Sequence, residues 1–243
     1  MIEVIDLTKS FADVEVLKGV SLKIGENKTL GVLGPNGAGK STTLKILATL
    51  LKPTSGKVKI DNIEVADNYD HARSLIAFLP ESPPLYPELS VTEYLTLFGN
   101  LRADASGGAS KIQIAQEVKD NIARCRLTGF EDKLCGVLSK GFRQKVGLAA
   151  ALMGQPKILL LDEPTSGLDP REIVEIRSLI KNLKKSHTIL FSSHILSEVS
   201  ELCDEVVMFI GGKTVFQSSI EEMADKGGLE SNFLRALEGD SND

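Results

Sequence analysis

"TLGVLGPNGAGKSTTLKIL", residues 29–47, is the stretch that decides the fold. Its first six residues are apolar or small and close on a glycine, the mark of a short buried strand. Its end runs on as "KSTTLKILATLLKPTSG", where Leu44, Leu47, Ala48 and Leu51 recur at helical spacing before Pro53 and Gly56 stop the helix. Between them "GPNGAGKST", residues 34–42, fits G-x-x-x-x-G-K-[ST], a phosphate loop when a strand precedes it and a helix follows. Gly34, Gly37 and Gly39, with Pro35, Asn36 and Ala38 between them, let backbone N–H groups turn inward around phosphate oxygens. The helix dipole beginning at Lys40, Ser41 and Thr42 adds positive potential there. Lys40 is placed to reach the β- and γ-phosphates of a nucleotide, and the Ser41 hydroxyl to ligate Mg²⁺.

Such a site needs an acid at the end of a second buried strand, and "ILLLDEP", residues 158–164, supplies it. Asp162 is positioned to hold Mg²⁺, directly or through water. Glu163, the next residue, is placed to polarise an attacking water as general base. Two carboxylates after four apolar residues need a cation to compensate them. A guanine-reading N-K-x-D is missing after the loop: the only "NK", Asn27-Lys28, precedes it and continues "TL". An arginine-rich lid of the small-molecule kinase kind is also not evident.

The chain has 243 residues, 42% of them hydrophobic and 25% charged, the balance of an ordinary globular protein. A net charge of −5 leaves no basic footprint, so no nucleic-acid partner is expected. Cys125, Cys135 and Cys203 form neither a metal spacing nor a disulfide framework and read as small buried hydrophobes in a reducing compartment. "MIEVIDLTKSF" has no apolar h-region, and "VGLAAALMG" falls far short of a bilayer span. A cytoplasmic protein is expected, peripheral if it serves a membrane.

Outward from the loop, "IEVIDLTKSF" and "VEVLKGVSLKIG" alternate as strands of a small antiparallel sheet. Residues 57–80 read as further strands, ending in "LIAFLP". "VTEYLTLFGNLR", "KIQIAQEVKDNIARCRL" and "FRQKVGLAAALMG" are helical by period, with loops at "ADASGGAS" and "TGFEDK". Then follow a strand at "ILLLDE", a helix at "PREIVEIRSLIKNLKK", a strand at "HTILFSS", a helix at "ILSEVSELC" and a hairpin turning on Gly211-Gly212. The fold class is therefore α/β: a P-loop NTPase core with a mixed sheet, a small N-terminal antiparallel β-subdomain and an inserted α-helical subdomain. A single domain is expected over residues 1–236, with core at 1–87 and 156–217 and helices at 88–155. Residues 218–243 are read as a short polar tail, frayed past about residue 236.

One stretch remains unexplained by a self-contained site. "LSKGFRQK", residues 138–145, carries a second Ser-x-Gly able to hold an anion. Taken in order, "GPNGAGKST", "LSKGFRQK", "ILLLDEP", "SGLD" and "SSH" resemble the ATP-binding cassette family, the nucleotide-binding subunits of ABC transporters, from about residue 2 to 217.

The resemblance implies that Ser139 and Gly141 serve the nucleotide of a second cassette in a head-to-tail dimer, so that one chain holds half of each ATP site. It implies that His194 is a switch histidine contacting the γ-phosphate, and that "SGLD", Ser166 to Asp169, lies at the dimer interface. Phe11 stands where the family stacks an aromatic on adenine, although a lone Phe also packs in cores. The implied function is ATP hydrolysis driving separate transmembrane permease subunits from the cytoplasmic face, with ATP and Mg²⁺ as ligands and a second copy or related cassette as partner. His71 and His187 are left as surface residues.

Two departures stand out. Lys140 and Phe142 replace a glycine and the glutamine of the usual LSGGQ, a form similar to ABC-2 type cassettes, which favours export. In "FLPES", Glu81 replaces the lid glutamine that ligates Mg²⁺; a carboxylate still ligates the ion but adds a third negative charge beside Asp162 and Glu163. A soluble scaffold cassette, or one acting on ribosomes or chromosomes, is the competing class. The single cassette and the lack of sustained heptads speak against the last two.

Overall fold

The apolar alternation of the first 24 residues folds into a pair of strands, β1 (Ile2–Phe11) and β2 (Val14–Ile24), which pair antiparallel. The computed structural model describes residues 1–105, 108–225 and 227–240. The chain continues through β3 (Thr29–Leu33), α1 (Lys40–Leu47), β4 (Ser55–Ile60), β5 (Ile63–Glu64), α2 (Tyr69–Leu75) and β6 (Ile76–Leu79). Next come α3 (Val91–Ala105), α4 (Lys111–Arg124) and α5 (Lys140–Ala151), then β7 (Ile158–Asp162), α6 (Pro170–Leu183), β8 (Thr188–Ser193) and α7 (Leu196–Leu202). The hairpin β9 (Glu205–Ile210) and β10 (Lys213–Ser219) leads into α8 (Ile220–Asp225) and α9 (Gly228–Asp240).

Two sheets result. A four-stranded antiparallel sheet has the order β2-β1-β4-β5, and a six-stranded mixed sheet the order β10-β9-β3-β8-β7-β6. In the second, β9, β3, β8, β7 and β6 run parallel and β10 pairs antiparallel at one edge. Every residue of β3, β7 and β8 is buried, because this sheet is covered on both faces. Leu30, Val32, Ile158 and Leu160 pack with α1 and the antiparallel sheet on one face. Leu33, Leu159, Leu161 and Phe191 pack with the helices α3 to α7 on the other. That alternation follows from the two-residue period of a strand.

Four features differ from those expected. Residues 57–80 are not all strand: α2 intervenes, started by Asn68, whose side chain accepts from the His71 N–H at 3.0 Å. α3 carries on through the first residues of the expected "ADASGGAS" loop, of which residues 106 and 107 lie outside the described residues. The expected polar tail is instead α8 and α9, whose Met223 and Leu229 join the main core; the fraying expected past residue 236 is replaced by helix as far as Asp240, and residues 241–243 lie outside the described residues.

The fourth concerns His187, which is buried at 7% exposure rather than on the surface. Burial lowers its pKa below the ordinary histidine value, the Leu183 carbonyl raises it and Arg124 lowers it further. A depressed folded pKa means that the unfolded chain binds the proton more readily, so stability is full above the ordinary histidine pKa and falls as pH drops below it. Replacing His187 by Gln is expected to flatten that part of the profile of unfolding midpoint against pH. All three cysteines are free and buried, and burial raises the Cys125 thiol to about 12.

Candidate active site

The C-terminal ends of four neighbouring parallel strands deliver the site, as open α/β sheets do. β3 runs into the Gly34–Thr42 loop, β6 into Pro80 and Glu81, β7 ends on Asp162 and Glu163, and β8 on Ser193 before His194. They surround a cavity of about 340 Å³ lined by Asn36 to Thr42, Val16, Glu81, Glu163, Ser166 and His194.

The loop is shaped by close approach and backbone chirality. A Cβ on Gly34 would stand 2.3 Å from the Phe209 carbonyl oxygen. Gly39 has φ +95°, and a Cβ there would meet Leu17 Cδ2 at 2.4 Å. Gly39 is the N-cap of α1 and makes no side-chain cap hydrogen bond. The first N–H groups of α1 therefore lack the side-chain acceptor that usually takes them, and they face the cavity as donors for an anion. Lys40 is buried, its ammonium donating to the carbonyls of Gly34 at 2.7 Å and Pro35 at 3.2 Å and lying 3.3 Å from Glu163 Oε1.

Because β8 lies between β3 and β7, one β8 hydroxyl organises both acids. Ser192 Oγ donates to Asp162 Oδ1 at 2.7 Å and accepts the Glu163 N–H at 2.9 Å. Ser41 Oγ donates to the same Asp162 Oδ1 at 2.9 Å. Glu163 takes φ +45°, a strained value for a residue with a side chain. That turn aims its carboxylate back at Lys40 and at His194, whose Nδ1 is 2.8 Å from Glu163 Oε2. An ionised carboxylate only accepts, so Nδ1 carries the proton there. Glu81 Oε1 accepts from Ser166 Oγ at 2.8 Å, tying the segment after β6 to the "SGLD" loop.

Ser41, Asp162 and Glu81 offer only oxygen, the donor chemistry that suits a hard cation such as Mg²⁺. Among the described residues no three His, Cys, Asp or Glu side chains form a metal cage.

Of the residues singled out from sequence, Asn36 to Thr42, Glu81, Glu163 and His194 line the cavity, Asp162 holds Ser41, and Gly34 and Pro35 hold Lys40. Phe11 does not line it; the ring is 45% exposed at the end of β1, with the Lys9 ammonium 4.9 Å from its centroid. Val16 on β2 lines it instead, and nothing in a lone valine pointed there. Ser192 was also missed, because its role depends on β8 sitting between β3 and β7.

Ser139 and Gly141 do not line the cavity either. Ser139 caps α5, accepting the Phe142 N–H at 3.3 Å, and its hydroxyl donates to Glu172 Oε1 on α6 at 2.9 Å. Phe142 stacks on Phe130 with ring centroids 4.0 Å apart, and the Lys145 ammonium lies 4.6 Å from the Phe142 centroid. The residue in the glutamine's place has thus become packing within the helical layer.

Residues 17–166 match the family model described as ABC transporter, and a model for an AAA domain overlaps it at residues 135–200. The ABC transporter ATP-binding protein NatA of Bacillus subtilis is 35% identical over 229 residues, 92% of this chain and 91% of that protein. The cbiO1 structure from Clostridium perfringens, described as part of the ABC transporter complex cbiONQ, superposes with TM-score 0.81 at 29% identity, covering 93% of this chain and 91% of that one. The dimeric post-hydrolysis structure of the ATP-binding cassette MJ0796, bound to ADP and Pi, gives TM-score 0.80 at 28% identity over 90% of this chain and 98% of that one.

Proposed function

The chain belongs to the ABC transporter family as one of its ATP-hydrolysing subunits, and from that premise we propose that the cavity is half of a composite ATP site, completed by the Ser139–Gly141 loop of a second copy. Lys40, the uncapped N–H groups of α1 and Ser41 bind the phosphates; Asp162, Ser41 and Glu81 hold Mg²⁺; Glu163 is the general base and His194 positions it. The convergence of Lys40 and His194 on the Glu163 carboxylate, beside the Asp162–Ser41 pair, carries this reading.

The bound cation supplies charge neutralisation for the β- and γ-phosphates. The chain's own groups do the rest. In the free chain Lys40 pairs with Glu163, which ties up the base. Incoming phosphates draw the Lys40 ammonium to themselves, and the released carboxylate becomes free to take a proton from water. The water oxygen then attacks the γ-phosphorus as the bond to the β-phosphate oxygen breaks, ADP leaves, and the proton passes from Glu163 to phosphate or solvent. His194 Nδ1–H keeps the carboxylate aimed.

Closing and reopening of the dimer would be transmitted to permease subunits on the cytoplasmic face of a membrane. No helix among the described residues is long and apolar enough to cross one. Export is the direction favoured by the "LSKGFRQ" form of the signature. The test is Mg²⁺-dependent ATP turnover of the purified chain and of Asp162→Asn, which keeps the shape and both hydroxyl contacts. Turnover is expected to need Mg²⁺ and to disappear in Asp162→Asn at an unchanged unfolding midpoint; turnover that survives the substitution sinks the assignment.

A further inference from the structure

Glu172 belongs to α6, in the first turn after the Asp169 N-cap, yet its carboxylate lies on the signature loop at the start of α5. It accepts the Ser139 hydroxyl proton at 2.9 Å. It also covers Gly141 closely: a Cβ there would stand 2.2, 2.3 and 2.6 Å from the carboxyl carbon and its two oxygens. The contact joins the first turns of α5 and α6. Beside it the Lys140 ammonium crosses to the "SGLD" loop, 2.5 Å from where a Cβ on Gly167 would stand. The Ser-x-Gly surface is therefore already occupied by an anion of the same chain.

We propose that Glu172 is a further residue of the composite ATP site: it fills the signature loop's anion position in the free chain and sets the ATP concentration at which two cassettes close. This rests on the reading above, in which Ser139 and Gly141 receive the partner's γ-phosphate. A serine hydroxyl has one proton to donate, so it serves Glu172 or a phosphate oxygen but not both. A carboxylate left against Gly141 would also meet the incoming phosphate as a like charge. Closure must therefore turn Glu172 away, and only a γ-phosphate with its stronger charge takes the place in exchange. The contact holds the loop in shape while it waits and opposes closure without nucleotide.

The test uses the full chain in a Glu163→Gln background, with Mg-ATP as the probe. Mass by light scattering is followed against ATP concentration, and binding of a fluorescent ATP analogue to the isolated chain is measured alongside. Glu172→Ala is expected to lower the ATP concentration for half-maximal dimer about tenfold, the worth of one charge-assisted hydrogen bond removed from the free chain. Glu172→Gln, which keeps an acceptor without the charge, is expected to fall between. Analogue binding measured at chain concentrations too low for dimer should not change, since Glu172 does not line the P-loop cavity of its own chain. A dimer formed by Glu172→Ala where the parent stays monomeric also supports the inference. A half-point that is unchanged or raised in both variants, with the unfolding midpoint intact, overturns it and leaves Glu172 as a support for Ser139. If every variant binds nucleotide yet none dimerises at saturating Mg-ATP, the trans reading itself fails and the inference falls with it.

Discussion

Glu163→Gln lowers ATP turnover about a thousandfold, within the range that loss of a general base covers, while nucleotide still binds. The amide is nearly isosteric and keeps an acceptor for His194 Nδ1, now 2.8 Å from the carboxylate. It loses two things: the ability to take a proton from water, and the ion pair with Lys40 at 3.3 Å. The second loss works in favour of binding, because the ammonium no longer leaves a carboxylate to reach the phosphates. The expected picture is a chain that binds ATP at least as tightly, hydrolyses it barely at all and accumulates as a closed dimer. Single-turnover hydrolysis and light scattering on the same sample check it. Turnover within a few-fold of the parent would remove Glu163 as the base.

Ser139→Arg abolishes turnover without touching the P-loop. Ser139 does not line the cavity of its own chain, so ATP analogue binding to the monomer is expected to stay within a factor of about two. The serine is also the N-cap of α5, and its replacement by a residue that cannot cap costs about 1 kcal/mol of stability. Ser139→Ala carries that same stability cost and so separates capping from blocking. Losing one donor to a reacting oxyanion costs roughly 10²- to 10³-fold in turnover, and the arginine adds a steric bar to closure. The decisive form mixes two crippled chains, Ser139→Ala and Lys40→Ala, neither of which bars closure sterically. In a mixed dimer the intact P-loop of the first meets the intact Ser139 of the second, so one complete site is restored. Recovery of part of the parental activity on mixing is the expected result; two chains that stay crippled together would place the signature loop outside the site.

The same residues show what was legible before the structure. The strand–loop–helix around Lys40 reads directly, because glycine positions, a buried strand and an amphipathic helix are all set within fewer than twenty consecutive residues. Strand β7 with its terminal acids and β8 ending before His194 are equally local. The seven-residue helix α2 escaped because it is too short for an apolar period to emerge; its Asn68 cap was the one available signal. The burial of His187 escaped because it depends on what packs above the end of α6, not on its neighbours in sequence.

The site divides along the same line. Which groups carry the chemistry was written in short motifs: a lysine after a glycine loop, paired acids after an apolar run, a histidine after a strand. How those groups are held was decided by strand order. Ser192 bridges Asp162 and Glu163 only because β8 inserts between β3 and β7, and Val16 reaches the cavity only because the antiparallel sheet packs beside α1. Glu172 meets Ser139 across 33 residues because α5 and α6 bring their N-termini together. A motif is a property of backbone conformation and residue type over a few neighbours, so sequence determines it. A hydrogen bond between distant elements exists only once the burial of both sheet faces has chosen one packing, and that choice belongs to the tertiary structure alone.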